Sequence, residues 1–506
     1  MHTVQLLLKP TDYECHEIDR RFHALSHVHN VCVKHARKLL IQLQHDNEYQ
    51  TWRKEYISFP KKDKDLTEAQ RIRKEQLKDL MADRRYRMGL TASGFMGYLK
   101  VSGKRYRKLL SSQQVQAEAK RVWCSVEDYL FGNGNSVHFK KYMDFDTVGG
   151  KSNLNGARFD KNFMTVSWLG MELQCYLPKN ADSRDYVLES LDHKISYCMI
   201  KRRMFSSGWR YYAVVILDGD APHKDHKTGI STMGIDPGVS TVAGVSDTSC
   251  ELEELAPDCV RYEKQICGLL PHMDASRRAT NPWKYHPDGT VIKGNSTPWV
   301  YSSRYKRMQR KLKTLYRKKS AYTLQNHREL CNRLLEDSNL FIVEKMDFMA
   351  LAKRKKATER QEAAVDIKTK AGTVKTVRKY KKKKRYGRSV NRRAPALFLS
   401  ELKRKAEASG GSYKEVKTKS FKASQYNHVE DTYEKIPLKQ RMKLIGGRNV
   451  QRDLYSAFLI KNADKTFEHP DREKCNYEFE NFADMQDTLI ARMKADGHSM
   501  KQCFGF

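Results

Sequence analysis

The sequence predicts a multidomain α+β protein: a small β-domain interrupted by helices in its N-terminal half, and one α/β domain in its C-terminal half. Three observations carry this. A chain of 506 residues is too long for a single core. Its hydrophobic pattern changes from helical spacing to short strands near Phe131. Beyond residue 225 strand-like and helix-like segments follow one another in a fixed order.

The opening MHTVQLLLKPTDYE holds a short apolar run stopped by Lys9, Pro10 and Asp12, which suits a strand and not a signal peptide. Residues 1–16 are therefore expected to supply the first strand of the β-domain. From about Glu17 to Phe131 the spacing is helical. The clearest stripe is Val115, Ala119, Val122, Val126 and Tyr129, with Lys120 and Arg121 off it and Gly132–Asn135 ending it. Residues 132–225 alternate in the manner of strands, as in FMTVSWLGMELQCYL and WRYYAVVIL, divided by turns such as GGKSNLNG. A small β-barrel or sheet fits, with the helical stretch as an insertion.

In the C-terminal half, STMGID is a strand ending at Asp236, and VSTVAGVSD and Cys250–Leu255 supply two more. A linker rich in Pro, Gly and aromatics is expected from Pro257 to Ser302, then a long, broken, basic helical segment. LFIVEKM is a buried strand carrying Glu344. Lys353–Arg393 is a basic low-complexity stretch, APALFLSELKRKAEASGG a helix stopped by Gly410, SYKEVKT a strand, and NVQRDLYSAFLI a helix with Asp453 in its first turn. That is the element order of an RNase H-like fold over residues 226–462. The tail, 463–506, is expected to end in a helix and says little else.

Ninety-five Lys and Arg against 60 Asp and Glu leave a net charge of +35. Self-repulsion on that scale calls for a polyanion, and nucleic acid is the natural one. No run of about 18 apolar residues exists to cross a membrane. Eleven scattered cysteines without CxxC spacing point to reduced thiols, a cytoplasmic setting and no zinc.

Asp236 and Glu344 at strand ends and Asp453 at a helix start can converge on one point. Phosphodiester hydrolysis by two divalent ions about 3.5–4 Å apart needs such a carboxylate set. Asp236 would bridge two Mg²⁺ ions, or Mn²⁺, with Glu344 and Asp453 each holding one. Each acid also has a plain reading: a solvated strand end for Glu344, ordinary helix-dipole placement for Asp453, a turn residue for Asp236 in GIDPG. For phosphate contact the candidates are Lys120, Arg121, Arg304, Lys306, Arg307, Arg310, Lys311, Lys313, and the run Lys381, Lys382, Lys383, Lys384 and Arg385. Trp283, Tyr285 and Trp299 are candidates to stack on bases, though aromatics in a folded linker more often pack.

On GIDPGVSTVAGVSD, SRRATNPWKYHPDGT, FIVEKMDFMAL, RYGRSVNRRAPALFLSELKRKAEASGG, KASQYNHVEDTY and VQRDLYSAFLI, in that order, the chain resembles the TnpB family of transposon-encoded nucleases and the compact type V CRISPR effectors. The resemblance implies a wedge β-domain with a helical recognition insertion and a RuvC-type nuclease domain. It implies a guide RNA and a double-stranded DNA target as partners, a short motif beside the target, and catalytic roles for Asp236, Glu344 and Asp453. One protein or two per RNA are both compatible with it. The family's four-cysteine ribbon is missing: residues 419–452 hold no cysteine, Ser424, Gln425 and Tyr426 stand where it begins, and lone His428 cannot hold a zinc ion. A metal-free loop is expected there. An RNA-guided binder that does not cut, an RNase H-fold transposase and a general RNA-binding protein are the alternatives.

Overall fold

The computed structural model describes residues 1–60, 66–222, 228–352, 360–368, 374–380, 386–437, 440–497 and 504–505. The chain divides into two compact units, Met1–Pro222 and His223–Phe506.

In the first unit, β1 (His2–Leu8) is followed by α1 (Asp12–Gln44), α2 (Asn47–Ser58), α3 (Glu68–Arg87), α4 (Ala92–Tyr98), α5 (Lys100–Arg105) and α6 (Ser112–Leu130). Then come β2 (Thr147–Gly149), β3 (Ala157–Asp160), β4 (Thr165–Trp168), β5 (Met171–Tyr176), α7 (Ala181–Ser190), β6 (Ile195–Phe205) and β7 (Gly208–Leu217). The strands form one antiparallel sheet in the order β2-β6-β7-β1-β5-β4-β3. The first strand thus lies inside a sheet otherwise made by residues 147–217, and the helices between are an insertion. The sheet is open, not a closed barrel: β2 and β3 are its two free ends. The first helix starts at Asp12, ahead of the expected Glu17, because Thr11 and Glu14 make a capping box. The stripe on α6 is buried at Val115, Ala119, Val122 and Val126 as its spacing requires. The helix α7 was not expected; Asn180 caps it.

The second unit runs β8 (Ser231–Pro237), β9 (Thr241–Val245), β10 (Cys250–Glu254), α8 (Cys259–Thr280), α9 (Ser303–Asp337), β11 (Ser338–Glu344), α10 (Phe348–Ala352), β12 (Arg360–Lys368) and β13 (Val374–Tyr380). It continues with α11 (Gly387–Arg393), α12 (Pro395–Ala408), β14 (Ser412–Val416), α13 (Thr418–Phe421), β15 (Tyr426–Asn427), β16 (Thr432–Tyr433), β17 (Met442–Ile445), β18 (Arg448–Gln451), α14 (Arg452–Lys461) and α15 (Arg472–Ala495). Its main sheet has the order β10-β9-β8-β11-β14. The first three strands form an antiparallel meander, and β11 runs parallel to both β8 and β14.

Strand alternation sorts this sheet into two faces. Met233, Ile235, Phe341 and Val343 pack with Leu330, Leu334, Phe398 and Leu402 of α9 and α12. Ala243, Val245, Cys250, Leu252 and Ile342 pack with the buried side chains of α14 and α15. Asp236 and Glu344 share the parity of Gly234 and Ile342, so both fall on the α14 face.

Five expectations are corrected. The first half of the linker is a helix, α8, whose buried Cys259, Ile266 and Met273 are spaced seven apart; Pro271 inside it masked the pattern. It packs along α9, with a Glu263–Lys319 ion pair and Cys259 Sγ 3.0 Å from Thr323 Oγ1. The basic helix α9 is unbroken over 35 residues, about 50 Å. Within the low-complexity stretch lies the antiparallel hairpin β12–β13. Among the described residues of 419–452 are two small hairpins, β15–β16 and β17–β18, where a loop was expected. The tail belongs to the core: Cys475, Phe479, Phe482, Leu489, Ile490 and Met493 of α15 join the cluster around α14.

Candidate functional site

Asp236 lies at the C-terminal end of β8, and Glu344 ends β11, the strand hydrogen-bonded beside it. In the parallel register Val343 stands opposite Ile235, so Glu344 is carried alongside Asp236. Both are partly buried.

The third acid comes in on α14. That helix is apolar almost all round, with Leu454 through Lys461 buried, so it lies flat on the sheet. Gly234, two residues before Asp236, makes this approach possible. A Cβ there would stand 2.1 Å from the Ala457 carbonyl oxygen and 2.3 Å from Lys461 N. No other residue lets two backbones come that close. With Ala457 over Gly234, Asp453, one turn earlier on α14, faces the end of β8. Gln451 fixes the helix start: its Oε1 accepts from Leu454 N at 2.8 Å, and its own N donates to Gln486 Oε1 at 2.6 Å.

The three acids feel one another. Burial, then the neighbouring Glu344 and Asp453, push the Asp236 carboxyl well above the usual carboxylate range; the Arg452 charge opposes this. Burial raises Glu344 too, while its hydrogen bond with Asp236 lowers it. Asp453 instead makes an ion pair with Arg441, Nη1 to Oδ2 at 3.1 Å. As placed, no group of three His, Cys, Asp or Glu among the described residues stands ready to hold a metal ion.

The donor set nevertheless suits a hard divalent ion: carboxylate oxygens on two strand ends and a helix start, near enough that Glu344 and Asp453 both raise Asp236. Sequence reasoning missed Gly234, Arg441 and Arg452. The last directly precedes Asp453 and leaves its Nε and Nη1 buried without a hydrogen-bond partner. Arg452 was legible in QRDL; the other two were not, since their roles depend on packing.

The basic candidates separate. Arg121 is committed to structure, pairing with Glu118 at 3.0 Å and donating to the Thr147 carbonyl at 3.2 Å, while Lys120 is exposed. Arg304, Lys306, Arg307, Arg310 and Lys311 are exposed along the first turns of α9, with no ion pair among the described residues. Lys313 is partly buried. Lys381, Lys382, Lys383, Lys384 and Arg385 lie outside the described residues. Of the aromatics, Tyr285 and Trp299 pack edge to face at 5.9 Å, with Arg278 over the first and Lys284 and Arg277 over the second. Trp283, 47% exposed, keeps a free surface. His428 is a core residue, fully buried against Tyr455 and Phe479. No helix among the described residues is long and apolar enough to cross a membrane.

No protein-family model and no curated protein matches the chain. Solved structures do resemble it, two of them as follows. One is the cryo-EM structure of a Cas12f1–sgRNA–target DNA complex, with a TM-score of 0.40 and 10% identity over 91% of this chain and 98% of that one. The other is a cryo-EM structure of a CRISPR-Cas12f ternary complex, with a TM-score of 0.24 and 12% identity over 91% and 99%.

Proposed function

We propose that the chain is an RNA-guided, metal-dependent DNA endonuclease whose RNase H-like (RuvC) domain cuts at Asp236, Glu344 and Asp453. One observation carries the reading. Three acids from segments far apart in sequence meet on one face, at one end, of a sheet ordered β10-β9-β8-β11-β14. That order, with a parallel strand on one side of β8 and an antiparallel meander on the other, is the RNase H arrangement.

Asp236 and Glu344 are held by the strand ladder, and Asp453 by a helix that cannot slide without lifting off Gly234. The three carboxylates would bind two Mg²⁺, or Mn²⁺, ions once Asp453 is released from Arg441. Bound there, the ions supply the charge that activates water and relieves the phosphate.

The partners proposed are a guide RNA and a double-stranded DNA target, on the strength of the motif resemblance and the charge. On α9 no acid occurs before Glu329. Cations at Arg304, Lys306 and Arg307 sit at the positive end of the helix dipole, where they are unfavourable without an anion. A nucleic-acid backbone running past this helix supplies that anion.

The test is to purify the protein with RNA co-expressed from its own locus, sequence that RNA, and challenge a plasmid library with randomised flanks in Mg²⁺ or EDTA. RNA-dependent cutting that requires Mg²⁺ is expected. Cutting without RNA, or RNA-dependent binding that never cuts, contradicts the reading.

A further inference from the structure

Arg441 stands on the segment entering β17, twelve residues before Asp453 in sequence. Its Nη1 lies 3.1 Å from Asp453 Oδ2 and 3.4 Å from Oδ1. The backbone ties the same two segments together: Met442 pairs with Gln451 in the hairpin, and Arg452 N donates to the Arg441 carbonyl at 2.8 Å. Gly505 closes the other side, so near that a Cβ there would stand 2.1 Å from Arg441 Cβ. The arginine stem is thus held, and its guanidinium reaches back over the helix start to one carboxylate.

We propose that Arg441 is an electrostatic latch: it neutralises Asp453 in the metal-free protein and keeps that carboxylate out of the ligand set until a divalent ion displaces it. The proposal rests on reading the three acids as metal ligands. It accounts for two observations at once. The acids influence one another, yet no three stand ready around a common point. Of the three, Asp453 is taken by Arg441, Nη1 to Oδ2 at 3.1 Å. Entry of an ion at Asp453 must break the Arg441 ion pair, so the pair lowers the metal affinity of the resting protein. Arg441 acts through Asp453 and is a positioning residue.

The experiment is a Mn²⁺ titration of the full-length protein followed by electron paramagnetic resonance, which reads binding and not cutting. Arg441→Gln is expected to tighten Mn²⁺ binding roughly fivefold, the scale of a partly exposed ion pair. Arg441→Lys, which keeps the charge but not the fork, should fall between that variant and the natural protein. Asp453→Asn should remove the gain in the Arg441→Gln background. Melting curves identify any variant that does not fold, in which case Arg441→Lys carries the test. Unchanged or weaker Mn²⁺ binding in a folded Arg441 variant, with Asp453→Asn still weakening it, overturns the latch alone. Mn²⁺ binding indifferent to Asp453→Asn overturns the metal-site reading beneath it.

Discussion

Asp236 ends a strand whose preceding residues, Met233 to Ile235, are all buried. A carboxyl in that position is held above its usual range by burial and by two neighbouring acids, so it is a poor surface group and a good ligand. Asp236→Ala should cut the cleavage rate by about 10³ or more while leaving RNA binding intact; a rate within tenfold of the natural protein contradicts the assignment. His428 offers a separate check on the hairpin region. Its Nδ1 is 2.8 Å from the Tyr455 hydroxyl, which also accepts from the His428 backbone N–H at 3.2 Å. Its Nε2 is buried with no hydrogen-bond partner among the described residues. Burial, then the charge of Arg472, pushes His428 from its ordinary 6.5 down to about 4. The folded state therefore resists protonation that the unfolded state accepts. The stability this gives is fully present above pH 6.5 and is lost as pH falls towards about 4, roughly 3 kcal/mol in all. Denaturant titrations across that range should show it, and His428→Gln should flatten the slope; an unchanged slope contradicts it.

At the scale of elements, the site depends on how closely α14 lies on β8. Gly234→Ala places a methyl group into the backbone of Ala457 and Lys461. It should cost about 1–3 kcal/mol in stability and depress cleavage further than stability alone explains, because Asp453 moves with the helix. A variant as stable and active as the natural protein would show that the contact does not position the site. Along α9 the charges divide: Arg328 pairs with Glu401 at 2.9 Å and Arg333 with Glu253 at 2.7 Å, whereas Arg304, Arg307 and Lys311 have no ion pair among the described residues. Changing Arg304, Arg307 and Lys311 to Gln should weaken RNA or DNA binding and lower its salt slope by about 2. Changing Arg328 and Arg333 should barely move that slope; equal effects from the two sets contradict the assignment. These elements also show what a sequence makes legible. The strands bearing Asp236 and Glu344 and the helix bearing Asp453 were readable because period-two and period-3.6 patterns are local. The helix α8 was hidden by Pro271, and the hairpins β15–β16 and β17–β18 by being only two to four residues per strand. The core role of α15 was hidden because its partners lie across the sheet. Arg441 was invisible for the same reason: its meaning is an ion pair across a hairpin, not a spacing.

At the scale of the whole molecule, a charge of +35 sets the conditions under which the chain works. Its cations outnumber what its own acids can neutralise. The first unit supplies an open antiparallel sheet with a helical insertion, and the second supplies the acid-bearing sheet. A cutting centre of three ligands makes a demand that neither composition nor fold alone makes: each acid must be needed, and needed only for cutting. The most direct test is therefore a set of three single variants, Asp236→Asn, Glu344→Gln and Asp453→Asn, each purified with its RNA and assayed for target binding and for Mg²⁺-dependent cleavage. All three should bind RNA and target DNA like the natural protein and fail to cut. A folded variant of any of the three that still cuts at the natural rate would contradict the shared centre.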